Sequence, residues 1–256
     1  MAKIIALTNQ KGGVGKTTTT VNLGACLAVA GKKVLLVDLD PQGNASVALG
    51  LDPESFEGKS VYQVLVDNMS IKKTLCATEI DTLFVCPADK DLVGAEIELV
   101  GAMSRETRLK KALDSLREDF DYILIDCPPS LGLLTLNGLT ASDSYLVPMQ
   151  TEYFAMEGLS QLINTVHLIK GQLNERLELE GVLLTMFDGR NNLHKQVLQE
   201  INEHFKEKVF KSIIPRNVKL SECPSFGKPV ILYDVDSKGA ESYFALAKEV
   251  LVRNFS

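Results

Sequence analysis

An apolar run that stops at a glycine-rich loop and restarts as a helix constrains this chain more than any other feature. Residues 3–20 read KIIALTNQKGGVGKTTTT. Ile4 to Leu7 form the run, Gly12, Gly13 and Gly15 the loop, and Lys16 and Thr17 open a helical pattern. Glycines let the backbone turn its N–H groups toward one point, and the helix N-terminus adds the positive end of its dipole. The stretch is therefore suited to an anion, a phosphate above all. Lys16 would reach the outer phosphates and the Thr17 hydroxyl would take a magnesium site. The pattern G-x-x-x-x-G-K-[ST] is not strictly met, because its first glycine would fall on Gln10. K-G-G-V-G-K-T stands there instead, and Lys11 adds a second ammonium at the front of the loop. The bland alternative is a glycine turn with surface lysines, which requires strand, loop, lysine and hydroxyl to coincide by chance.

Short apolar runs alternate with longer helical patterns along the remainder. The runs are Ile4–Leu7, Val34–Val37, Leu83–Val85, Tyr122–Ile125, Tyr145–Val147, Val182–Met186 and Val209–Ile214. Several are apolar at consecutive positions, as in strands buried on both faces. Helices are predicted at Lys16–Ala30, Arg105–Arg117, Leu131–Thr140, Gly158–Leu173, Leu193–Lys206 and Gly239–Arg253. The expectation is an α/β fold, a single doubly wound, mostly parallel sheet flanked by helices and forming one domain over 1–256. In such sheets, ligands bind beyond the carboxyl ends of the strands.

Two of those ends carry carboxylates. In KKVLLVDLDPQGNAS, Asp38 and Asp40 follow an apolar run, and strand alternation would set them on one side. Asp40, near the γ-phosphate, would orient or polarise an attacking water; the alternative is that it starts a D-P turn. In FDYILIDCPPSLG, four apolar residues ending in Asp126 have the form of a Walker B strand, whose carboxylate holds magnesium directly or through water. The adjacent Cys127 has no general base beside it and reads as a packing residue.

Composition narrows the partners. At 45% hydrophobic and 23% charged, the chain has ample material for a core. A formal net charge of −6 argues against wholesale attraction to DNA or anionic lipid, though not against a local basic patch. Five scattered cysteines without a C-x-x-C pair argue against a disulfide framework or zinc site and fit a reducing cytoplasm. His194 and His204 read as surface residues rather than ligands. No signal-peptide core and no apolar run of membrane-spanning length is present, so a cytoplasmic protein is expected.

KGGVGKTTT with its leading lysine, VLLVDLDPQGNAS and YILIDCPPSLGLLTLNGLTASD together resemble the deviant-Walker P-loop ATPases, and most closely the ParA/Soj proteins that partition chromosomes and plasmids. EYFAMEGLSQL, GVLLTMFDGRNNL and IPRNVKLSECPSFGKPVILYD are similar to the Soj-type branch as well, so the resemblance spans nearly the whole chain. It implies an ATPase that closes into a sandwich homodimer on ATP and opens on hydrolysis. Lys11 would cross the interface to the partner's phosphates, and Lys16 would hold the β- and γ-phosphates in cis. With Asp40, which matches the family's hydrolytic aspartate, these form the implied catalytic set. Gly12, Gly13, Val14, Gly15, Thr17 and Thr18 would complete the nucleotide cradle. Pro215, Arg216 and Asn217 match the segment around the adenine. Thr17, Asp40 and Asp126 are the implied magnesium side.

The resemblance further implies nonspecific binding of double-stranded DNA by the ATP dimer, through positions matching Arg190, Arg216 and Lys219. It also implies stimulation by a ParB/Spo0J-type centromere-binding protein, and nucleoid association of the ATP form. A MinD-like membrane switch is the near alternative. However, the closing stretch ESYFALAKEVLVRNFS mixes Glu241 and Glu249 with Lys248 and Arg253, which suits a packed helix better than a basic membrane anchor. Iron–sulfur relatives need paired cysteines, which are missing. A metabolic P-loop enzyme would need a second polar substrate cluster.

Overall fold

Strands that are apolar on both faces must be covered on both faces, and the computed structural model, which describes residues 1–152 and 155–254, shows how. Tyr153 and Phe154 of the EYFAMEGLSQL stretch, and Phe255 and Ser256, lie outside the described residues. In chain order, β1 (Lys3–Leu7) precedes α1 (Lys16–Val29) and β2 (Val34–Asp38). Next come α2 (Asn44–Ala48), α3 (Val61–Leu65), β3 (Cys76–Ala77), β4 (Leu83–Cys86), α4 (Leu92–Glu98) and α5 (Arg108–Asp114). β5 (Tyr122–Asp126), α6 (Leu133–Ala141), β6 (Ser144–Gln150), α7 (Ala155–Gln172) and β7 (Glu178–Thr185) complete the sheet. α8 (Asn192–Phe205), α9 (Val218–Glu222), α10 (Val230–Tyr233) and α11 (Lys238–Asn254) close the chain.

The seven strands run β3-β4-β2-β5-β1-β6-β7. Every neighbouring pair is parallel except β3–β4. Alternation sends Ile5, Leu7, Leu36 and Leu124 to one face, under α1 and α11. Ile4, Ala6, Val37 and Ile125 point to the other, under the helices from α3 to α8. α1 lies unusually near the sheet because Gly24 faces it; a Cβ there would stand 2.7 Å from a Leu36 methyl. The register levels the ends of three central strands, with Leu7 opposite Asp126 and Asp126 opposite Asp38. The chain order reverses around β1, so the crevice past its carboxyl end is the switch point where such sheets bind ligands.

The predicted helices are present with shifts of a few residues, and Arg105–Arg117 resolves into a 3₁₀ turn at Arg105–Thr107 followed by α5. One predicted strand is not. Val209–Ile214 runs beside β7 without joining it as a strand: Val182 bridges Val209, and Phe210 N and Ile214 N donate to Val182 O and Leu184 O at 2.9 Å, with a further bridge just beyond both segments between Phe187 and Pro215. In its middle, the Lys211 and Ser212 N–H groups both donate to the Glu249 carboxylate at 3.0 Å instead of to a strand, which breaks the ladder. The seventh strand is instead β3, two residues long and antiparallel, too short for a periodicity signal.

Glu249 also explains the mixed charge of the closing helix. Its carboxylate accepts from Ser212 Oγ and pairs with Arg253 at 2.8 Å, while Tyr243, Leu246, Ala247 and Val250 of α11 are buried. Burial by itself would raise the Glu249 pKa, but the N–H groups of Lys211 and Ser212, the Ser212 hydroxyl and Arg253 outweigh it and lower it. A carboxyl depressed in the folded state stabilises above its unfolded pKa and loses that contribution as pH falls through the folded value. Glu249→Ala is therefore expected to lower stability by about 1–3 kcal/mol at pH 7. Urea melts should show the gap between variant and wild type closing as pH drops below about 4; a gap unchanged with pH would contradict the assignment.

Candidate functional site

The loop after β1 takes the form a phosphate cradle needs. Gly13 and Gly15 have φ of 72° and 85°, a region L side chains rarely adopt. A Cβ at Gly12 or Gly13 would meet nothing within 4 Å, so the space before the loop is open. Its backbone is held from behind: the Asn9 side chain accepts from Lys11 N and donates to Pro148 O. Gln150 Nε2 donates to Gly13 O at 2.9 Å, and Thr185 Oγ1 donates to Val14 O at 2.7 Å. Sequence reasoning missed Asn9, Gln150 and Thr185. Their one visible signal was a polar residue closing or following an apolar run.

α1 brings Lys16, Thr17 and Thr18 to the same crevice. Lys16 is buried and its Nζ donates to Lys11 O at 3.2 Å, across the mouth of its own loop. Burial lowers its pKa, against the opposing pull of Asp126, Cys127 and Asp40. Thr17 Oγ1 donates to Asp126 Oδ2 at 2.7 Å and Thr20 Oγ1 to Asp126 Oδ1 at 3.1 Å, which ties the first turn of α1 to the end of β5. Thr17 and Asp126 thus juxtapose the hard oxygen donors magnesium prefers. Thr20 is the partner the sequence did not disclose.

The other carboxylates divide differently from the sequence expectation. β2 ends at Asp38, so strand alternation does not extend to Asp40. Asp38 is buried and accepts from Ser46 N and Oγ at 2.9 and 2.7 Å, which anchors the start of α2. Asp40 lies in the following turn, with Oδ1 accepting from Gln42 N, and is part-exposed. It takes the turn role weighed as an alternative, yet stays near enough for its charge to act on both Lys16 and Asp126. Burial raises the pKa of Asp38 and of Asp126, the latter further through the Asp38 charge. Cys127 is packed beside Gly138 of α6 and its thiol is pushed up by burial, as a packing residue's should be.

Lys11 behaves unlike Lys16. Its side chain is half-exposed and its Nζ pairs with Glu152, past the end of β6, rather than pointing into its own cradle. Pro215, Arg216 and Asn217 line a cavity of about 100 Å³ together with Gly15, Thr18 and Thr185, so the structure brings this segment to the loop. A larger cleft of about 400 Å³, lined by His167, Lys170 and Phe205 among others, opens near the starts of β6 and β7, at the opposite end of the sheet. Arg190 is 92% exposed, but its guanidinium lies bidentate on Asp188 at 2.9 and 2.8 Å, and Asp188 is held well below the usual carboxylate range by it. Lys219 sits 3.3 Å from Glu222 and over the Tyr233 ring. Arg216 is exposed and lines the cavity beside Gly15 and Thr18.

A parallel sheet whose switch-point loop is KGGVGKT, with a buried aspartate hydrogen-bonded to the loop threonine, defines a P-loop protein with a deviant Walker A motif. Comparisons with known proteins agree. A family described as an AAA domain matches residues 2–179. The chain is 61% identical over 250 residues to the sporulation initiation inhibitor protein Soj of Bacillus subtilis, covering 98% of each. It is 56% identical over 254 residues to the chromosome partitioning protein ParA of Myxococcus xanthus, covering 99% of this chain and 89% of that one. A solved structure of cobyrinic acid a,c-diamide synthase from Mycobacterium smegmatis with bound ADP and magnesium superimposes with a TM-score of 0.87 at 39% identity, covering 100% of this chain and 96% of that one. The chain belongs to the ParA/Soj family of chromosome-partitioning ATPases.

The buried carboxylate pair has a consequence for stability. A carboxyl that holds its proton more tightly when folded makes the folded state lose stability as pH rises above the ordinary carboxylate range. Asp126→Asn removes one charge of the pair; its amide oxygen still accepts from Thr17, while its N–H can donate to the Thr20 hydroxyl, which keeps its own donation to Lys16 O. It should raise the melting temperature of the nucleotide-free protein by about 2–4 °C at neutral pH, with the gain vanishing near pH 4. Calorimetry without nucleotide reads this out, and a lower melting temperature at pH 7 would contradict it.

Proposed function

We propose that this protein is a nucleotide-switched DNA-partitioning ATPase, in which ATP with Mg²⁺ closes a sandwich homodimer that holds DNA until hydrolysis opens it. The observation that carries the reading is the division between the two loop lysines. Lys16 Nζ spans the mouth of its own cradle, while Lys11 Nζ is directed out to Glu152 at the rim, where a second subunit would meet it. Lys16 then serves the β- and γ-phosphates of its own ATP, and Lys11 those of the partner. Gly12 to Thr18 surround the phosphates, and Pro215 to Asn217 cover the adenine. Thr17 and Asp126, with Asp40 nearby, would hold magnesium. When bound, that ion would supply positive charge to offset the negative charge of the phosphates. Asp40 orients the water that attacks the γ-phosphorus as the bond to the β-phosphate oxygen breaks, giving ADP and phosphate. ATP shared across the interface favours the dimer over the monomer by differential affinity, and this is the switch.

DNA contact falls to Arg190, Lys219 and Arg216. Because the net charge is −6 and Arg190 and Lys219 each carry an acidic neighbour, one copy presents a weak patch, and pairing two copies makes binding conditional on ATP. A ParB/Spo0J-type partner stimulates hydrolysis, and the ATP form resides on the nucleoid in the cytoplasm. The synthase name of one solved relative suggests a metabolic alternative, but identity to that chain is 39% against 61% and 56% to the partitioning proteins. A membrane switch is disfavoured because the apolar face of α11 is already buried in the core. Among the described residues, no helix is long and apolar enough to cross a membrane.

Two measurements test the reading. With Arg190, Arg216 and Lys219 from two copies giving six phosphate contacts, DNA affinity in ATP should fall about 1,000-fold or more between roughly 50 and 200 mM salt. Without ATP little binding should remain, and Arg190→Glu with Lys219→Glu should abolish it while leaving ATP-dependent dimerisation. Wild-type DNA retention by that double variant would move the DNA surface elsewhere. Asp40→Ala should bind ATP and stay dimeric while turnover drops by about two orders of magnitude or more; wild-type phosphate release would remove Asp40 from the mechanism.

A further inference from the structure

Gln150 closes β6 and stands opposite Thr185, the last residue of β7. From these adjacent strand ends, the Gln150 amide takes the Gly13 carbonyl and the Thr185 hydroxyl takes the Val14 carbonyl. In a planar trans peptide the C=O and the following N–H point in opposite directions. Holding carbonyls 13 and 14 outward therefore turns the N–H groups of Val14 and Gly15 toward the cradle.

The Gln150 amide nitrogen has two hydrogens, and its second contact is Met186 Sδ at 2.9 Å. Met186 has φ of 51°, in the left-handed region that residues other than glycine seldom adopt. It is the root of the loop that carries Arg190. That loop is fastened to the adenine-side segment, with Phe187 N donating to Ile214 O at 3.1 Å and Arg216 N to Phe187 O at 3.4 Å. At its tip, Asp188 holds the Arg190 guanidinium. One side-chain amide thus touches both the phosphate loop and the base of the proposed DNA-contact loop.

We propose that Gln150 is a positioning residue that couples nucleotide occupancy of the phosphate loop to the setting of the Met186–Asn191 loop. This inference rests on the function proposed above and specifies how the site is regulated. A bound phosphate fixes the Gly13–Val14 peptide, Gln150 passes that restraint to Met186, and the loop shifts so that Arg190 exchanges Asp188 for a DNA phosphate. A physical coupling of this kind needs an element with two settings that both sites bias, and the left-handed Met186 is that element.

Hydrogen exchange of the full-length protein, with and without saturating Mg²⁺ and ATPγS, separates the steps. In the wild type, nucleotide should slow exchange at amides 187–191 by about fivefold or more, the lower end of ordinary coupling. Gln150→Leu should lose that response while the phosphate-loop peptide remains protected, and its DNA affinity in ATPγS should fall about tenfold. Met186→Leu, which keeps the Gln150 contact with Gly13, should lose the response as well. It decides the matter if Gln150→Leu fails to bind nucleotide. No response in the wild type, or a wild-type response in both variants, overturns the coupling. A wild type that shows the loop response yet binds no DNA would instead overturn the DNA reading and leave the coupling standing.

Discussion

Asp126 is the interaction on which the site depends. It is fully buried, it closes the central strand β5, and it accepts from two hydroxyls of a single helix turn, Thr17 and Thr20. Those bonds set the first turn of α1 against the sheet, and the first turn of α1 is where the phosphate loop delivers Lys16. A buried carboxylate is tolerable only when its oxygens are satisfied or its proton is retained. The nucleotide-free site uses both devices, with hydroxyl donors on Asp126 and a raised proton affinity across Asp38 and Asp126. Such a site gains most when positive charge arrives.

The rest of the crevice follows from strand ends being level. Leu7, Asp38 and Asp126 share one register line, so the loop after β1, the turn after β2 and the turn after β5 converge on one volume. β6 and β7 extend the line outward, where Gln150 and Thr185 hold the phosphate loop from the side. Three segments therefore meet at one edge: the phosphate loop, the stretch at Pro215, and the Arg190 loop that springs from β7. In a closely packed parallel sheet, small displacements at that edge are shared rather than absorbed.

Charge is used sparingly. Arg190 and Lys219 are each matched by a neighbouring acid, in a chain of net negative charge. Exposed pairs of this kind contribute little to stability. A guanidinium already engaged in this way must trade one anion for another before it can bind a second.

Much of this was legible in the sequence. The glycine loop, the leading lysine, the strand ending in Asp126 and the alternation of doubly apolar runs with amphipathic helices are local patterns, and local sterics and burial determine what they become. Other features depended on groups far apart in the chain. The run 209–214 is apolar enough for a strand, but Glu249, dozens of residues later, captures its central N–H groups. Asp38 and Asp40 look alike in sequence; only the end of β2 and the position of Ser46 decide that one is buried and the other left in the turn. Gln150, Thr185, Thr20 and Glu152 carry no motif at all, since their partners are loop carbonyls, a carboxylate and a lysine more than a hundred residues away. The sequence by itself determined the cradle and the class of fold, because those arise within a few residues of backbone. What surrounds and restrains the cradle was decided by the tertiary structure, because hydrogen bonds between distant strand ends exist only after the sheet has set their register.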